Sequence, residues 1–174
     1  MFVFGAIDFS RAMASIGKFL GYRVTVVDAR PVFATKARIP DADDIVVAWP
    51  DEFLAAARVT PSTALIVLTH DVKFDVPLLD VALRTRAAYI GVMGSRRTHA
   101  NRVAALREAG IDEAQLSRLS APVGLDIGAR TPEETAISIA AEIIALRGER
   151  NGGRLRDTTL PVHAAAPRAQ KATI

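Results

Sequence analysis

Tyr89-Ile90-Gly91-Val92-Met93-Gly94-Ser95-Arg96-Arg97-Thr98 is a short apolar run that breaks at glycine and then opens a polar helix. The run reads as a buried strand delivering its carboxyl end to a helix N-terminus. Glycine at the break tolerates the positive φ of a tight turn and lets backbone N–H groups approach a ligand. Ser95 is placed to cap the helix, whose first amides lack intrahelical partners and carry the positive end of the helix dipole. Gly94, Ser95, Arg96 and Arg97 are therefore a candidate cradle for phosphate or carboxylate. The plainer reading of the same residues is a strand-to-helix turn with a capping serine and two solvated arginines.

Upstream, the same alternation repeats. Phe2-Val3-Phe4-Gly5 reads as a buried strand from the first residue, and a helix follows over 8–20 through Ala12, Ile16 and Leu20, stopping at Gly21. Arg23-Val24-Thr25-Val26-Val27-Asp28 is a β-branched strand ending in an acid, followed by a Pro-containing loop over 29–43. Further strands are expected at 45–49, 64–69 and 88–92, with helices at 52–57 and 76–84. Strands that are apolar throughout and alternate with helices imply a parallel sheet covered on both faces. The expected fold is a doubly wound α/β domain with a mostly parallel sheet. Ligands of such sheets bind beyond the strands' carboxyl ends, where the winding reverses. Gly5, Asp28, His70, Asp71 and residues 94–97 are then expected in one neighbourhood.

Downstream, a helix carries Val103 and Leu106 and ends at Ala109-Gly110, and Asp112-Glu113-Ala114-Gln115 has capping-box spacing for a short helix. Residues 121–130, Ala-Pro-Val-Gly-Leu-Asp-Ile-Gly-Ala-Arg, read as a loop or short strand. Thr131-Pro132-Glu133-Glu134 starts a helix with Thr at the N-cap, Pro at N1 and Glu at N3. That helix, to about Leu146, is apolar through Ile137, Ala140 and Ile144 and also through Ile139, Ile143 and Leu146. One sheet face cannot cover both stripes, which points to an intersubunit or domain contact and a homo-oligomer. From Gly148 the composition shifts to Gly, Arg, Pro, Ala and Thr. Residues 1–147 are expected to form the domain and 148–174 an extended or disordered basic tail.

Half of the 174 residues are apolar, enough for one domain with a full core. The net charge of +3 sits in the tail: residues 1–147 hold 17 Lys and Arg against 17 Asp and Glu, and residues 148–174 hold five against two. A neutral body argues against nucleic acid, which selects a basic stripe on a folded face. No cysteine is present, so disulfides, thiolate metal sites and a Cys nucleophile are excluded from this chain. No apolar run approaches the roughly 18 residues of a membrane span, and the start lacks the charged and long apolar regions of a signal peptide. A cytoplasmic location without membrane contact is expected.

Three clusters carry candidate chemistry. Gly5 after the first strand and Asp28 after the second sit where a dinucleotide fold places its turn and its ribose acceptor. However, Gly5-Ala6-Ile7-Asp8-Phe9-Ser10 lacks the Gly-x-Gly-x-x-Gly fingerprint: Ile7 stands where pyrophosphate approaches the backbone, and Asp8 adds negative charge, which weakens an NAD(P) reading. His70, Asp71 and Asp75 could do acid/base work or bind a metal; alternatively, Asp71 or Asp75 caps the next helix. Asp126 and Arg130, flanked by Gly124 and Gly128, could hold a polar ligand, Arg130 taking a phosphate and Asp126 accepting from a base or pterin-like ring. Their alternative is an ion pair that orders the loop. No Ser-His-Asp or HExxH pattern occurs.

Val3-Phe4-Gly5-Ala6, Leu68-Thr69-His70-Asp71 with Lys73-Phe74-Asp75, the run from Tyr89 to Thr98, and the run from Pro122 to Glu134 together resemble the XdhC/CoxI family of molybdenum-enzyme accessory proteins. The resemblance is to its C-terminal, Rossmann-like domain. Family members commonly carry another domain ahead of it, in keeping with a chain that begins on a strand. The resemblance implies a chaperone that binds molybdenum cofactor (molybdopterin) as cargo, keeps it available for sulfuration, and delivers it to a molybdenum hydroxylase apoenzyme of the xanthine dehydrogenase or carbon monoxide dehydrogenase type. A sulfur-donating desulfurase is a further implied partner. Gly5, Asp28, His70, Asp71, Gly94, Ser95, Arg96, Arg97, Asp126 and Arg130 are the implied cofactor-binding set, with no catalytic residue and no metal ligand. The competing classes are a nicotinamide-dependent oxidoreductase or dehydrogenase-associated subunit, and a docking module acting through the 132–146 helix and the tail.

Overall fold

Val3, Val26, Ile66 and Tyr89 point to one side of the sheet, and Phe4, Val27, Leu65, Val67, Ile90 and Val92 to the other, all of them buried. The strands are apolar at consecutive positions because both faces are covered. Six strands build the sheet: β1 (Phe2–Phe4), β2 (Thr25–Asp28), β3 (Asp44–Val47), β4 (Ala64–Val67), β5 (Tyr89–Val92) and β6 (Leu119–Ser120). Their order is β3-β2-β1-β4-β5-β6, and every pairing is parallel. The computed structural model describes residues 1–69, 72–159 and 161–162.

α1 (Asp8–Phe19) and α6 (Pro132–Arg147) pack together on the first face. On the second lie α2 (Pro50–Ala56), α3 (Val72–Leu83), α4 (Arg96–Glu108) and the short α5 (Glu113–Leu116). Phe4, Leu65 and Leu79 are fully buried, and each contributes about 1.5–3 kcal/mol of apolar burial. This frame aims the turns at the carboxyl edge. Chain order reverses between β1 and β4, so a crevice opens there, between the turns after β1 and β4.

The expected doubly wound α/β fold is present, with three differences in its elements. β6 pairs Leu119 with Ile90 and Ser120 with Gly91, and two residues are too short to show a strand period. α3 begins four residues before the expected Val76, and Pro77 lies inside it rather than near its start. α2 begins at Pro50, which occupies N1, where proline's missing N–H leaves no bond unmade. The two capping boxes formed as read: Asp112 with Gln115, and Thr131 with Glu134. On α6, Ile139 and Ile143 meet the sheet while Ile137, Ile144 and Leu146 stay exposed. Beyond Arg147 the described residues hold one 3-10 turn, Leu155–Asp157, and Gly152 approaches Leu125.

Candidate functional site

At the end of β1 the chain turns through Gly5 at φ +100°, where a side chain would stand 2.9 Å from the Thr69 methyl carbon. The next amide, Ala6, donates to Asp28 Oδ2 at 2.6 Å, and the Ile7 amide donates to Ser10 Oγ at 3.2 Å. The Ser10 hydroxyl in turn donates to the Gly5 carbonyl. Asp28 is 4 % exposed and accepts from the Arg30 amide and Nε at Oδ1, both at 2.9 Å, and from Arg30 Nη2 at Oδ2, at 2.8 Å. Burial pushes the Asp28 carboxyl up, but the bonds from the Arg30 guanidinium, the Ala6 amide and the Arg30 amide outweigh it and hold the group below its ordinary value.

Each Asp28 oxygen therefore takes two donors, which is its usual capacity. A ribose hydroxyl would have to displace one of them. The place where a dinucleotide's pyrophosphate would meet this turn is already met by the protein's own carboxylate. The adjoining cleft is about 190 Å³, lined by Gly5, Ile7, Asp28, Arg30, Thr69 and Phe74 among others. That is below the roughly 300–1,000 Å³ of drug-sized sites and suits one ring system rather than a whole dinucleotide. Trp49 stacks on Phe74 near its rim, ring centroids 5.4 Å apart.

The turn from β5 into α4 is built differently. Gly94 adopts φ +143°, Ser95 Oγ accepts from the Thr98 amide at 3.1 Å, and the amides of Arg96 and Arg97, at N1 and N2, have no partner among the described residues. The other five α-helices each carry an acid in the first turn; α4 carries two exposed arginines and no acid. Beneath it, Arg102 is 1 % exposed and donates through Nε to Asp75 Oδ2 at 2.8 Å and through Nη2 to the same oxygen. Asp75, fully buried, also accepts from the Thr69 hydroxyl. Arg102 Nη1 and His99 Nδ1 are buried without a partner among the described residues. Burial and then the neighbouring Arg102 charge hold His99 below its ordinary pKa, so its ring is neutral at neutral pH.

A second groove, of about 420 Å³, lies beside this turn and is lined by Arg96, Val123, Leu125, Asp126, Thr135 and Ser138 among others. Its floor is tied to the core by Glu142, which accepts from the Tyr89 hydroxyl and from the Gly124 amide at 3.0 Å, and by Ser138, whose hydroxyl donates to the Leu125 carbonyl at 2.6 Å. Burial and the Glu142 carboxylate push the Tyr89 phenol far above its ordinary value, so it remains a donor. Asp126 and Arg130 are both exposed, and no ion pair joins them; the Arg130 amide instead donates to Glu134 Oε2 at 2.7 Å.

The expected single neighbourhood is thus divided. Gly5 and Asp28 line the cleft, Arg96 and Asp126 line the groove, and Gly94 and Ser95 form the turn over Arg102. Arg97 is exposed on the first turn of α4, and Arg130 lines neither cavity. His70 and Asp71 lie outside the described residues. Asp75 neither caps a helix nor faces solvent: it is the buried partner of Arg102. The sequence reading missed Arg102, Thr69, Glu142 and Arg30. A signal for Arg102 existed, because it stands four residues before Leu106 on the stripe of α4 that faces the core. Among the described residues no group of three His, Asp or Glu side chains converges as a metal site, and no helix is long and apolar enough to cross a membrane.

Six parallel strands in this order, with a crevice where the order reverses, define an α/β domain of Rossmann type. A family model described as the XdhC Rossmann domain matches residues 1–143, and the chain belongs to that family. Over 147 residues it is 34% identical to a probable xanthine dehydrogenase subunit of Bacillus subtilis (strain 168), covering 84% of this chain and 42% of that protein. It is 36% identical over 93 residues to the molybdenum cofactor insertion chaperone PaoD of Escherichia coli (strain K12), covering 53% of this chain and 29% of that one. The crystal structure of a xanthine dehydrogenase from Bacillus halodurans superposes with a TM-score of 0.73 at 33% identity, over 86% of this chain and 43% of that one. The chain spans less than half the length of each of these relatives.

Proposed function

We propose that the chain binds molybdenum cofactor as cargo and supports the maturation of a molybdenum hydroxylase of the xanthine dehydrogenase or carbon monoxide dehydrogenase type. Family membership and the insertion chaperone among its relatives support the cargo. The observation that carries its placement is the contrast between helix starts: the two amides ahead of α1, of Ala6 and Ile7, are taken by Asp28 and Ser10 and an acid opens the first turn, whereas the corresponding amides of Gly94 and Ser95 ahead of α4 have no partner among the described residues, and two arginines and no acid follow. The cofactor's phosphate is an anion suited to Gly94, Ser95, Arg96 and Arg97. Its pterin ring offers N–H donors to Asp126, which lines the groove that Arg96 shares. Arg130 extends the positive rim of that loop, and His70 and Asp71 belong to the set by their place in the sequence after β4.

In this role no bond is made or broken by the chain. It binds, orients and releases, and the client apoenzyme and a sulfur-donating desulfurase are its partners in the cytoplasm. The exposed Ile137 and Ile144 on α6, with Phe19 of α1, favour a homo-oligomer or a domain contact on that face. The competing dinucleotide reading requires Asp28 to exchange Arg30 for a ribose and Ile7 to admit a pyrophosphate.

A fluorescence titration of the purified chain tests the proposal, with molybdopterin cofactor and, separately, with reduced nicotinamide dinucleotide. Cofactor binding that weakens in Arg96→Ala is the expected result. Binding of dinucleotide alone would establish the oxidoreductase reading instead. Binding of neither leaves the docking-module reading, and deletion of residues 148–174 would then abolish partner capture.

A further inference from the structure

Arg102 holds more donor capacity than the fold uses. Its Nε and Nη2 are spent on Asp75, while Nη1, on a side chain 1 % exposed, meets no acceptor among the described residues. That atom lies 2.8 Å from where a Cβ on Gly94 would stand, and the other two guanidinium positions on that side lie at 3.4 and 3.5 Å. The guanidinium is therefore stacked beneath the Gly94 peptide, and only glycine leaves it that approach. One turn before it on the same helix, His99 Nδ1 is a second buried nitrogen without a partner among the described residues. The turn leads into the Arg96 and Arg97 amides, which have no partner among the described residues, and Ser95, whose hydroxyl caps the Thr98 amide.

A buried donor without an acceptor is uncommon in folded proteins and calls for a physical explanation. Asp75 engages the Nε and Nη2 edge of the guanidinium and the Thr69 hydroxyl, and it makes no bond to Nη1. Nη1 lies against Gly94, and the Arg96 and Arg97 amides open the helix that follows it; guanidinium and amide N–H groups both suit oxygen carrying negative charge.

We infer that Arg102 is the inner wall of an oxyanion site at the β5–α4 turn, and that the site takes a phosphate monoester dianion at the end of a small ligand. Because Arg102 is 1 % exposed, the Gly94 peptide has to move aside for one phosphate oxygen to reach Nη1. The remaining oxygens meet the Arg96 and Arg97 amides. Asp75 holds the guanidinium in place, and through Thr69 it connects the oxyanion site to the cleft at the end of β4. A diester phosphate inside a dinucleotide presents fewer free oxygens and a single charge, so this geometry favours a terminal phosphate. The inference deepens the cofactor-carrier reading, and rests on it only for what lies beyond the phosphate.

The test is NMR of the full chain, labelled with ¹⁵N, titrated with inorganic phosphate and with phenyl phosphate. The expected result is shifts at the Gly94, Ser95, Arg96 and Arg97 amides and at the Arg102 guanidinium, with phenyl phosphate bound at least as tightly as inorganic phosphate. Arg102→Lys, which keeps the charge but loses Nη1, should weaken binding about tenfold. Should that variant fail to fold, Gly94→Ala fills the approach to Nη1 and is expected to abolish the guanidinium shift. Shifts confined to the exposed arginines, or an unchanged Arg102 signal at saturation, would overturn the inference. Inorganic phosphate bound with phenyl phosphate excluded would overturn the monoester assignment. Phosphate binding at Arg102 without molybdopterin binding would leave the site standing and remove the carrier reading; cofactor binding indifferent to Arg102→Lys would do the reverse.

Discussion

The turns after β1 and β5 start from the same parts, a parallel strand, a glycine at positive φ and a helix N-terminus, and they end in opposite electrostatic states. After β1 the amides of Ala6 and Ile7, just ahead of the helix, are taken by Asp28 and Ser10, and α1 opens with Asp8. After β5 the corresponding amides, of Gly94 and Ser95, have no partner among the described residues, the first turn is cationic, and a buried guanidinium lies underneath. A helix N-terminus is an anion site only while no internal anion occupies it. The parent fold supplies several such ends, and the side chains around each decide which remain available.

Asp75→Ala should produce the largest effect. It strands a buried guanidinium under the open turn, and the expected loss of stability is about 3–5 kcal/mol; a urea unfolding curve within 1 kcal/mol of wild type would show that the pair does not hold α3 to α4. Next comes a paired test of the two serines. Ser10 is buried and bonds both the Gly5 carbonyl and the Ile7 amide, so Ser10→Ala should cost about 1–3 kcal/mol. Ser95 is exposed and caps one amide, so Ser95→Ala should cost about 1 kcal/mol or less. Equal costs would erase the distinction between a closed and an open turn.

Opening the closed turn is a third route. Ile7→Gly alone leaves Asp28 saturated and should gain no dinucleotide affinity, whereas Ile7→Gly with Arg30→Ala frees carboxylate oxygens and backbone space. The double variant should bind reduced dinucleotide about tenfold more tightly than wild type by fluorescence titration. Affinity appearing in the single variant would mean that the glycine, rather than the carboxylate, is the barrier.

The smallest effects are in pH. Asp28 has a folded pKa below its ordinary value, so its contribution to stability is present above about pH 4 and is lost as pH falls through the folded value. Asp28→Asn should flatten that part of the acid limb. His99 is also depressed, but as a base. Its neutral form is the one the fold accepts, so stability should fall as pH drops below about 6.5 and level off below the folded value, and His99→Gln should remove that slope. Unfolding curves at stepped pH separate the two windows, since one group belongs to each turn.

How much was readable in the chain differs between frame and site. Apolar runs such as Ala64 to Val67, Gly at helix ends and the Thr131 and Asp112 caps are local signals, and they located five of six strands and the capping boxes. Two-residue β6 was not among them, because its strand character comes from pairing with β5 rather than from its own pattern. At the site, Gly94, Ser95, Arg96 and Arg97 were readable as one contiguous motif. Asp126 and Arg130 were readable as candidates, but their geometry was not: the groove is shared with Arg96, and the alternative, an ion pair between them, is absent.

The amino-acid order by itself determined a doubly wound α/β domain, an anion-suited helix start at Ser95 and a first turn ill suited to pyrophosphate, because periodicity, caps and missing glycines act within a few residues of one another. Only the tertiary structure decided that Asp28 is consumed by Ala6 and Arg30, and that Asp75 and Arg102, 27 residues apart, form a dry pair under Gly94. Whether a charged side chain is solvated, paired or left with a spare donor depends on which elements the fold brings against it. That is a property of burial and distance, and neither is written in the spacing of the chain.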